Sequence, residues 1–151
     1  MSGAPAAIAA LDLAPHPEGG WYRELWRGPP GADGRATATS ILFLLAAGEA
    51  SHWHKVDAAE IWLWQGGDPL TLRLASGDAG PVRAAVLGPD FHSGHALQHT
   101  VEPHEWQAAA SVAGGLHGYT LVSCVVAPGF DFAGFTLAAP GWEPGCGLPS
   151  E

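Results

Sequence analysis

The clearest pattern along the chain is an alternation of apolar and polar residues in short segments separated by Gly and Pro. Leu70–Ala75 places three Leu residues on one face, opposite Thr71 and Arg73, which is typical of a strand with one face in a core. Similar strand-like segments are predicted at 21–26, 36–45, 52–55, 59–65, 82–87, 98–101, 106–112, 119–127 and 130–137. About eight to ten short strands at roughly 8–12-residue spacing predict an all-β sandwich or barrel.

The rest of the chain predicts little further regular structure. Residues 5–11 favour a short helix, and the Pro and Gly residues of 15–20 interrupt regular structure. The length of 151 residues fits one domain. We therefore expect a single domain over residues 1–151, with its core at about 11–138 and an irregular tail from about 140.

Composition narrows the classes of partner. The net charge is −9, and the six Lys and Arg residues are scattered along the chain, so we expect no nucleic-acid binding. Only 14% of the residues are charged, which suggests that a partner subunit covers apolar surface. The aromatic segment 21–26 has the character of an exposed edge strand, and a two-fold homodimer is the expected assembly.

Targeting signals are not evident in the sequence. No Lys or Arg precedes the apolar stretch at the N-terminus, which argues against a secretory signal. No apolar run approaches the roughly 20 residues that a membrane-spanning helix needs. We therefore expect a cytoplasmic protein with no membrane partner.

The strongest candidate for chemistry is a pair of histidines followed by a carboxylate. His52 and His54 lie two residues apart, and on an extended strand their side chains point to the same face. Glu60 follows on the next predicted strand and shares a face with Trp62 and Trp64. Two His and one carboxylate can hold a divalent Fe, Mn, Ni or Zn ion with open positions. The alternative is a metal-free polar pocket with indole walls.

Two further groups of residues are candidates. Glu18 and Arg23 flank the Gly19–Gly20 pair, where glycine permits close approach of the backbone to a ligand or to another strand. These residues either bind substrate or form a strand entry that packs across a dimer. Tyr119 begins a late strand, and its hydroxyl would serve as a proton donor if it faced the barrel interior. Alternatively, the Tyr119 side chain packs in the core.

Gly48, His52, His54, Glu60 and Gly66 follow one another in this order along the chain. This pattern resembles the first motif of the cupin superfamily, whose members are small β-barrels of the jelly-roll type, although the spacing differs: three residues instead of five separate Gly48 from His52, and five instead of three or four separate His54 from Glu60. The wider chain resembles one cupin subfamily of unknown function, DUF985 or Cupin_5, through segments 15–24, 51–62, 67–70, 101–109 and 119–132. The resemblance implies a single-domain double-stranded β-helix that binds a small molecule and forms a dimer.

The chain departs from the cupin pattern in its second motif. Cupins place a His there as the fourth metal ligand, whereas this chain has Gln107 at that position. The implied ligand set is therefore His52, His54, Glu60 and Gln107. Because Gln is a weak oxygen donor, such a site is loose, selective for another ion, or lost.

These observations favour a small-molecule enzyme with isomerase, epimerase or lyase chemistry, either metal-assisted or based on histidine. The predicted catalytic residues are Glu60, His54 and Tyr119. The predicted substrate-binding residues are Glu18, Arg23, Trp62, Trp64 and Gln107. The alternative is a non-catalytic barrel that binds a sugar or nucleotide sugar. The sequence names neither substrate nor reaction.

Overall fold

The structure is a computed structural model that describes residues 3–147. It contains one short helix, α1 (Ala4–Leu11), and eleven strands in two antiparallel sheets. The strands are β1 (Ala14–Pro15), β2 (Trp21–Arg27), β3 (Thr39–Ala46), β4 (Ala50–Val56), β5 (Ala59–Gly67), β6 (Leu70–Ala75), β7 (Arg83–Leu87), β8 (Gln98–Val101), β9 (Trp106–Ser111), β10 (Tyr119–Ala127) and β11 (Phe135–Leu137). Among residues 3–147, no helix has the length and apolar character needed to cross a membrane.

The two sheets form the walls of a barrel. The larger sheet has the strand order β1-β2-β3-β10-β5-β8, and the smaller has the order β11-β4-β9-β6-β7. Neighbouring strands are mostly distant in sequence, as in a jelly roll. The predicted all-β class and the jelly-roll barrel are confirmed.

The barrel interior takes up the apolar faces that the alternation predicts. Leu70, Leu72 and Leu74 of β6 are fully buried, and Phe43 and Trp62 pack against them from the other sheet. The other face of the larger sheet is covered by α1, whose apolar residues form a second cluster around the buried Leu44 of β3. The interior therefore has an apolar core at one end, and the polar residues gather at the other.

The last strand is shorter than predicted. The sequence predicts a strand or an edge over 130–137, but only Phe135–Leu137 is extended, as β11. The Asp131 carboxylate accepts a hydrogen bond from the Ala133 backbone N–H and caps a short 3₁₀ turn. Side chains of this kind compete with strand pairing for backbone donors. The preceding loop is thereby free to line the barrel.

The described part of the C-terminal tail, residues 140–147, contains no helix or strand and packs on the barrel. Trp142 is buried, and its ring lies 4.5 Å from that of Trp106, measured between centroids. Residues 148–151 of the predicted tail lie outside the described residues. The tail thus covers the outer face of the smaller sheet with an aromatic contact.

Candidate functional site

The polar end of the barrel opens into a pocket of about 160 Å³. Among the titratable groups that line it are His16, Glu18, His54, Glu60 and Cys124. They come from the turn before β2 and from strands β4, β5 and β10. The pocket therefore joins residues that are far apart in the sequence.

A glycine turn brings Glu18 into this pocket. Gly19 and Gly20 both have positive φ angles, of 104° and 81°, which glycine adopts without strain. A Cβ on Gly19 would collide with the carbonyl oxygen of Ala50. The backbone N–H of His52 donates to the Glu18 carbonyl oxygen over 2.8 Å. The turn therefore lies directly against β4, which carries His54.

Glu18 and His54 form a buried ion pair. The Nε2 of His54 lies 2.7 Å from Glu18 Oε2, and its Nδ1 lies 2.7 Å from the carbonyl oxygen of His52. Because that carbonyl only accepts, Nδ1 carries a proton, and Nε2 donates to the carboxylate. Ser51 Oγ donates a further hydrogen bond of 2.7 Å to Glu18 Oε2. The imidazole is therefore an imidazolium held by two acceptors.

The pKa values of the pair follow from this contact. Burial disfavours the charge on His54, but the charge and hydrogen bond of Glu18 outweigh it and raise the pKa of His54 to about 9. Burial likewise opposes the charge on Glu18, yet His54 and the Ser51 hydroxyl lower the pKa of that carboxyl. Both groups therefore stay charged at neutral pH.

Glu60 differs from Glu18, although both carboxyls are buried. Its Oε1 accepts a hydrogen bond of 2.9 Å from the Gln107 amide, whose oxygen in turn accepts 2.8 Å from the indole N–H of Trp62. Burial and the nearby charge of Glu18 raise the pKa of Glu60 to about 7, although His54 acts in the opposite direction. Glu60 is therefore present in both protonation states at neutral pH.

Cys124 completes the polar surface around Glu60. Its thiol is hydrogen-bonded to the Glu60 carboxyl, and burial, together with the nearby carboxylates, raises the pKa of Cys124. The thiol is accordingly a neutral donor to the carboxylate. Cys124 shares the inward face of β10 with Val122 and Val126, whereas Tyr119 lies on the outward face.

The structure does not place His52 beside His54, which corrects the expectation of a shared face. The pairing of β4 with β9 has an irregular register between Ser51 and His54. Such an irregularity adds a residue and inverts the alternation of side chains. Ser51 and His54 therefore both point inward, and His52 Nε2 lies outside the pocket, 3.0 Å from the Ala139 carbonyl oxygen.

The predicted metal ligands do not fit a metal ion in this arrangement. Among residues 3–147, no group of three or more His, Cys, Asp or Glu side chains is placed to hold one. His52 lies elsewhere, and both nitrogens of His54 are occupied. Gln107 uses its amide nitrogen for Glu60 and its oxygen for Trp62, so the residue in place of the cupin His connects two side chains.

The predicted indole wall is also corrected. Trp62 is buried in the apolar core, and the indole N–H of Trp64 donates to the Asp68 carbonyl oxygen over 3.2 Å. Both side chains are on the inward side of β5, but they are further along the barrel than Glu60. The aromatic residues that line the pocket are instead Tyr22, Phe130, Phe132 and Phe135. Neither of the two predicted Trp residues lines the pocket.

Arg23 and Tyr119 lie outside the pocket. Arg23 is exposed and donates to the Leu11 carbonyl oxygen over 3.4 Å. The pairing of β2 with β3 is irregular between Glu24 and Trp26, which turns Arg27 toward the pocket mouth beside Glu24. Tyr119 packs under α1. Of the predicted substrate-binding and catalytic residues, Glu18, His54 and Glu60 line the pocket.

Cys124, His16 and Ser51 are among the residues of the site that the sequence did not indicate. Cys124 could be found from the sequence, because it lies two residues from Val122 and from Val126 and shares their face of β10. Only the choice of which face points inward was open. His16 lies in the same short segment as Glu18, but no local pattern indicated its side-chain direction. Ser51 adjoins the register irregularity, which has no sequence signature that identifies it.

Solved structures share this fold. A hypothetical protein from Leishmania major is 34% identical, with a TM-score of 0.80, over 89% of this chain and 86% of its own. A protein from Shewanella oneidensis is 36% identical, with a TM-score of 0.83, over 92% of this chain and 86% of its own. Oxalate decarboxylase from Bacillus subtilis is 13% identical over 84% of this chain and 30% of its own, with a TM-score of 0.59, and is similar in fold alone.

Most of the chain matches one protein family. No curated protein matches the chain. The family model described as Cupin_5, cupin superfamily (DUF985), matches residues 5–138. That range includes the glycine turn, the ion pair and Glu60, so the resemblance in the sequence is confirmed. The chain therefore belongs to the Cupin_5 (DUF985) family of the cupin superfamily.

Proposed function

We propose that the chain is an enzyme that moves a proton on a small neutral molecule bound in the barrel pocket, with isomerase, epimerase or lyase chemistry. The observation that carries this proposal is the Glu60 carboxyl, which lines the pocket and has a pKa raised to about 7. A general acid or base is most effective when its pKa is near the working pH. Perturbed carboxyls of this kind cluster at functional sites.

The ion pair supports Glu60 as the group that transfers the proton. Because the pKa of His54 is raised to about 9, its imidazolium keeps its proton at neutral pH and provides a fixed positive charge. Glu18 neutralises that charge at 2.7 Å. We therefore assign His54 an electrostatic role near the reacting group, and Glu18 the role of holding it. The proposal includes no metal ion, because the side chains do not fit one.

The pocket favours a small substrate without net charge. Its volume is about 160 Å³, and a dry cavity of about 150 Å³ accommodates a molecule the size of benzene. Among the described lining residues, the two cations His54 and Arg27 are both paired, with Glu18 and Glu24. The described lining residues therefore offer no free cation to a phosphate or carboxylate. A neutral sugar therefore fits better than a nucleotide sugar.

The test is exchange of carbon-bound hydrogen with solvent. Purified protein in D₂O is incubated with a panel of small sugars, hydroxy acids and amino acids, and deuterium incorporation is followed by NMR. We expect exchange in at least one compound with the wild type and its loss in Glu60→Gln. Glu102→Gln, at an exposed carboxyl away from the pocket, is the matched control and should exchange normally. Equal exchange in Glu60→Gln would overturn the proposal.

A non-catalytic binding barrel is the second candidate. The observation that favours it is the closed hydrogen bonding of the site: in residues 3–147, every fully buried side-chain nitrogen and oxygen has a partner. Such a polar layer is already organised for a ligand. Retained affinity for a panel sugar in Glu60→Gln, without exchange in the wild type, would favour this function.

We also propose a homodimer formed through β2. Leu25 and Trp26 are 53% and 52% exposed, and β1 pairs only with the first two residues of β2. Among residues 3–147 no strand pairs with the rest of this edge, which lies beside the exposed Leu25 and Trp26. A second copy would cover it by two-fold pairing. Light scattering should give the mass of a dimer for the wild type and of a monomer for Trp26→Asp. A monomeric wild type would refute this assembly.

A further inference from the structure

The second histidine of the pocket, His16, lies beside the Glu18–His54 ion pair and has no catalytic role assigned above. It lies in the glycine turn, where its backbone N–H donates to the Gly20 carbonyl oxygen over 2.9 Å. Its ring contacts Tyr22 and Phe43 edge to face, at centroid distances of 4.6 and 5.7 Å. Only 6% of its side chain is exposed. The imidazole is therefore fixed in one orientation at the pocket wall.

The hydrogen bonds of His16 determine its tautomer. The backbone N–H of Glu18 donates to His16 Nδ1 over 3.1 Å, so Nδ1 is an acceptor and the ring proton lies on Nε2. The Glu18 carboxylate is 3.4 Å from the same nitrogen, too far for a good hydrogen bond. Burial lowers the pKa of His16 despite this carboxylate. The ring is accordingly neutral at pH 7.

The Nε2–H group has no hydrogen-bond partner among residues 3–147. All fully buried polar side-chain atoms in that part of the chain are satisfied, so this nitrogen is accessible. Since His16 lines the pocket together with Glu60, the accessible N–H faces the space that a substrate would occupy. The pocket therefore contains a base and, separately, an unused neutral donor.

We propose that His16 Nε2–H hydrogen-bonds the carbonyl oxygen of the substrate, and that the substrate is a small neutral α-hydroxy aldehyde or ketone. This inference rests on the proposed function of Glu60. A neutral imidazole paired with a carboxylate base suits proton abstraction next to a carbonyl. The aromatic side chains of the pocket would contact the apolar face of such a molecule.

The reaction is balanced without a further reactant. The Glu60 carboxylate takes the proton from the carbon next to the carbonyl, and the electron pair of that C–H bond forms a C=C bond. The π pair of the carbonyl moves to oxygen, where His16 Nε2–H stabilises the enediolate. Return of the proton from Glu60 to the neighbouring carbon, with transfer of the hydroxyl proton to the former carbonyl oxygen, gives the isomeric aldose or ketose.

The first test is spectroscopic and needs no substrate. Long-range ¹H–¹⁵N spectra of the histidine rings between pH 6 and 8 should show His16 as the neutral Nε2–H tautomer, assigned by loss of its signals in His16→Gln. His54 should appear as an imidazolium in the same spectra. A His16 ring that is protonated on Nδ1, or charged at pH 7, would overturn the inference.

The second test uses neutral C3 to C6 aldoses and ketoses as probes in D₂O. We expect deuterium next to the carbonyl, a loss of about 100-fold or more in His16→Phe, and partial retention in His16→Gln, which keeps an N–H donor. His92→Phe, at an exposed histidine, is the control. Exchange lost in Glu60→Gln but unchanged in His16→Phe would overturn the role of His16 alone.

The substrate class has its own contradicting result. Exchange that occurs only in carboxylate compounds of the wider panel would overturn the neutral carbonyl substrate and leave the proposed function of Glu60 intact. Exchange in no compound would count against both. Thermal unfolding of each variant shows whether a lost activity reflects a lost fold.

Discussion

The two ends of the barrel interior are built from the same strands but behave differently. At one end, residues such as Leu72, Leu74 and Val122 are fully buried in one apolar cluster. At the other end, β5 and β10 contribute Glu60 and Cys124, and buried groups carry charge. The apolar end provides stability that is independent of pH, whereas the polar end couples stability to protonation. Gln107 joins the two ends through Trp62 and Glu60.

The largest expected effect is on the buried ion pair. Glu18→Gln leaves the His54 imidazolium without its carboxylate, so we expect the free energy of unfolding at pH 7 to fall by about 3–5 kcal/mol. Glu24→Gln breaks the exposed pair with Arg27, for which a loss of about 1 kcal/mol or less is expected. Urea denaturation measures both. Equal losses would contradict a special role for the polar end.

The second prediction distinguishes the polar end from the apolar end by the pH dependence of the free energy of unfolding. The pKa of Glu60 is raised to about 7 in the folded protein, so folding is favoured when this carboxyl is protonated, and stability falls as the pH rises from about 4.5 to 7. Glu60→Gln should abolish this fall and be about 3 kcal/mol more stable than the wild type at pH 8.

The control for this prediction lies in the apolar end. Leu72→Ala should lose about 2–5 kcal/mol at every pH and keep the fall between pH 4.5 and 7. The pKa of His54, raised to about 9, adds stability that is complete below about pH 6.5 and is lost as the pH rises through 9. That second fall should remain in Glu60→Gln, and its absence would contradict the charged state of His54.

The third prediction concerns Gln107, whose side-chain amide links the apolar and polar ends of the barrel interior. Gln107→Leu removes the donor to Glu60 and leaves the Trp62 indole N–H unpaired, with an expected cost of about 1–3 kcal/mol. Because the amide hydrogen bond lowers the pKa of Glu60, its loss should raise that pKa further. Carbon-13 NMR of the Glu60 carboxyl measures the change. An unchanged titration would show that Gln107 does not influence the pocket.

The smallest effect is expected at His52, which the sequence pairs with His54 as a metal ligand. His52→Ala loses one hydrogen bond to Ala139 outside the pocket, which is worth about 0.5–1.5 kcal/mol, and should leave the titration of Glu60 unchanged. His54→Ala should change both the free energy of unfolding and the titration of Glu60.

Plasma mass spectrometry of untagged protein should find far less than one metal ion per chain. Stoichiometric metal that both variants lose would restore the predicted ligand pair.

Several features of this molecule could be predicted from local pattern. Leu70, Leu72 and Leu74 share a buried face, as their alternation indicates, and Glu60 and Trp62 both point inward from β5. Strand periodicity is a property of consecutive residues, so it is visible without knowledge of a partner strand. The same reasoning predicted the all-β class and the barrel.

The site itself depended on contacts that no segment contains. The register irregularity in β4 rotates His52 out and Ser51 in, and it arises from pairing with β9 rather than from the residues of β4 alone. The partner of His54 is Glu18, which reaches it because the Gly19 backbone fits against Ala50.

The sequence by itself determined most of the strands, the inward face of a regular strand such as β6, and the carboxyl of Glu60 as a candidate, because these follow from alternation along each strand. Only the tertiary structure decided the ion partner of His54, the donors around Glu60 and the accessible nitrogen of His16. Their positions depend on the packing of distant segments, and the charges that set the pKa values act through space rather than along the chain.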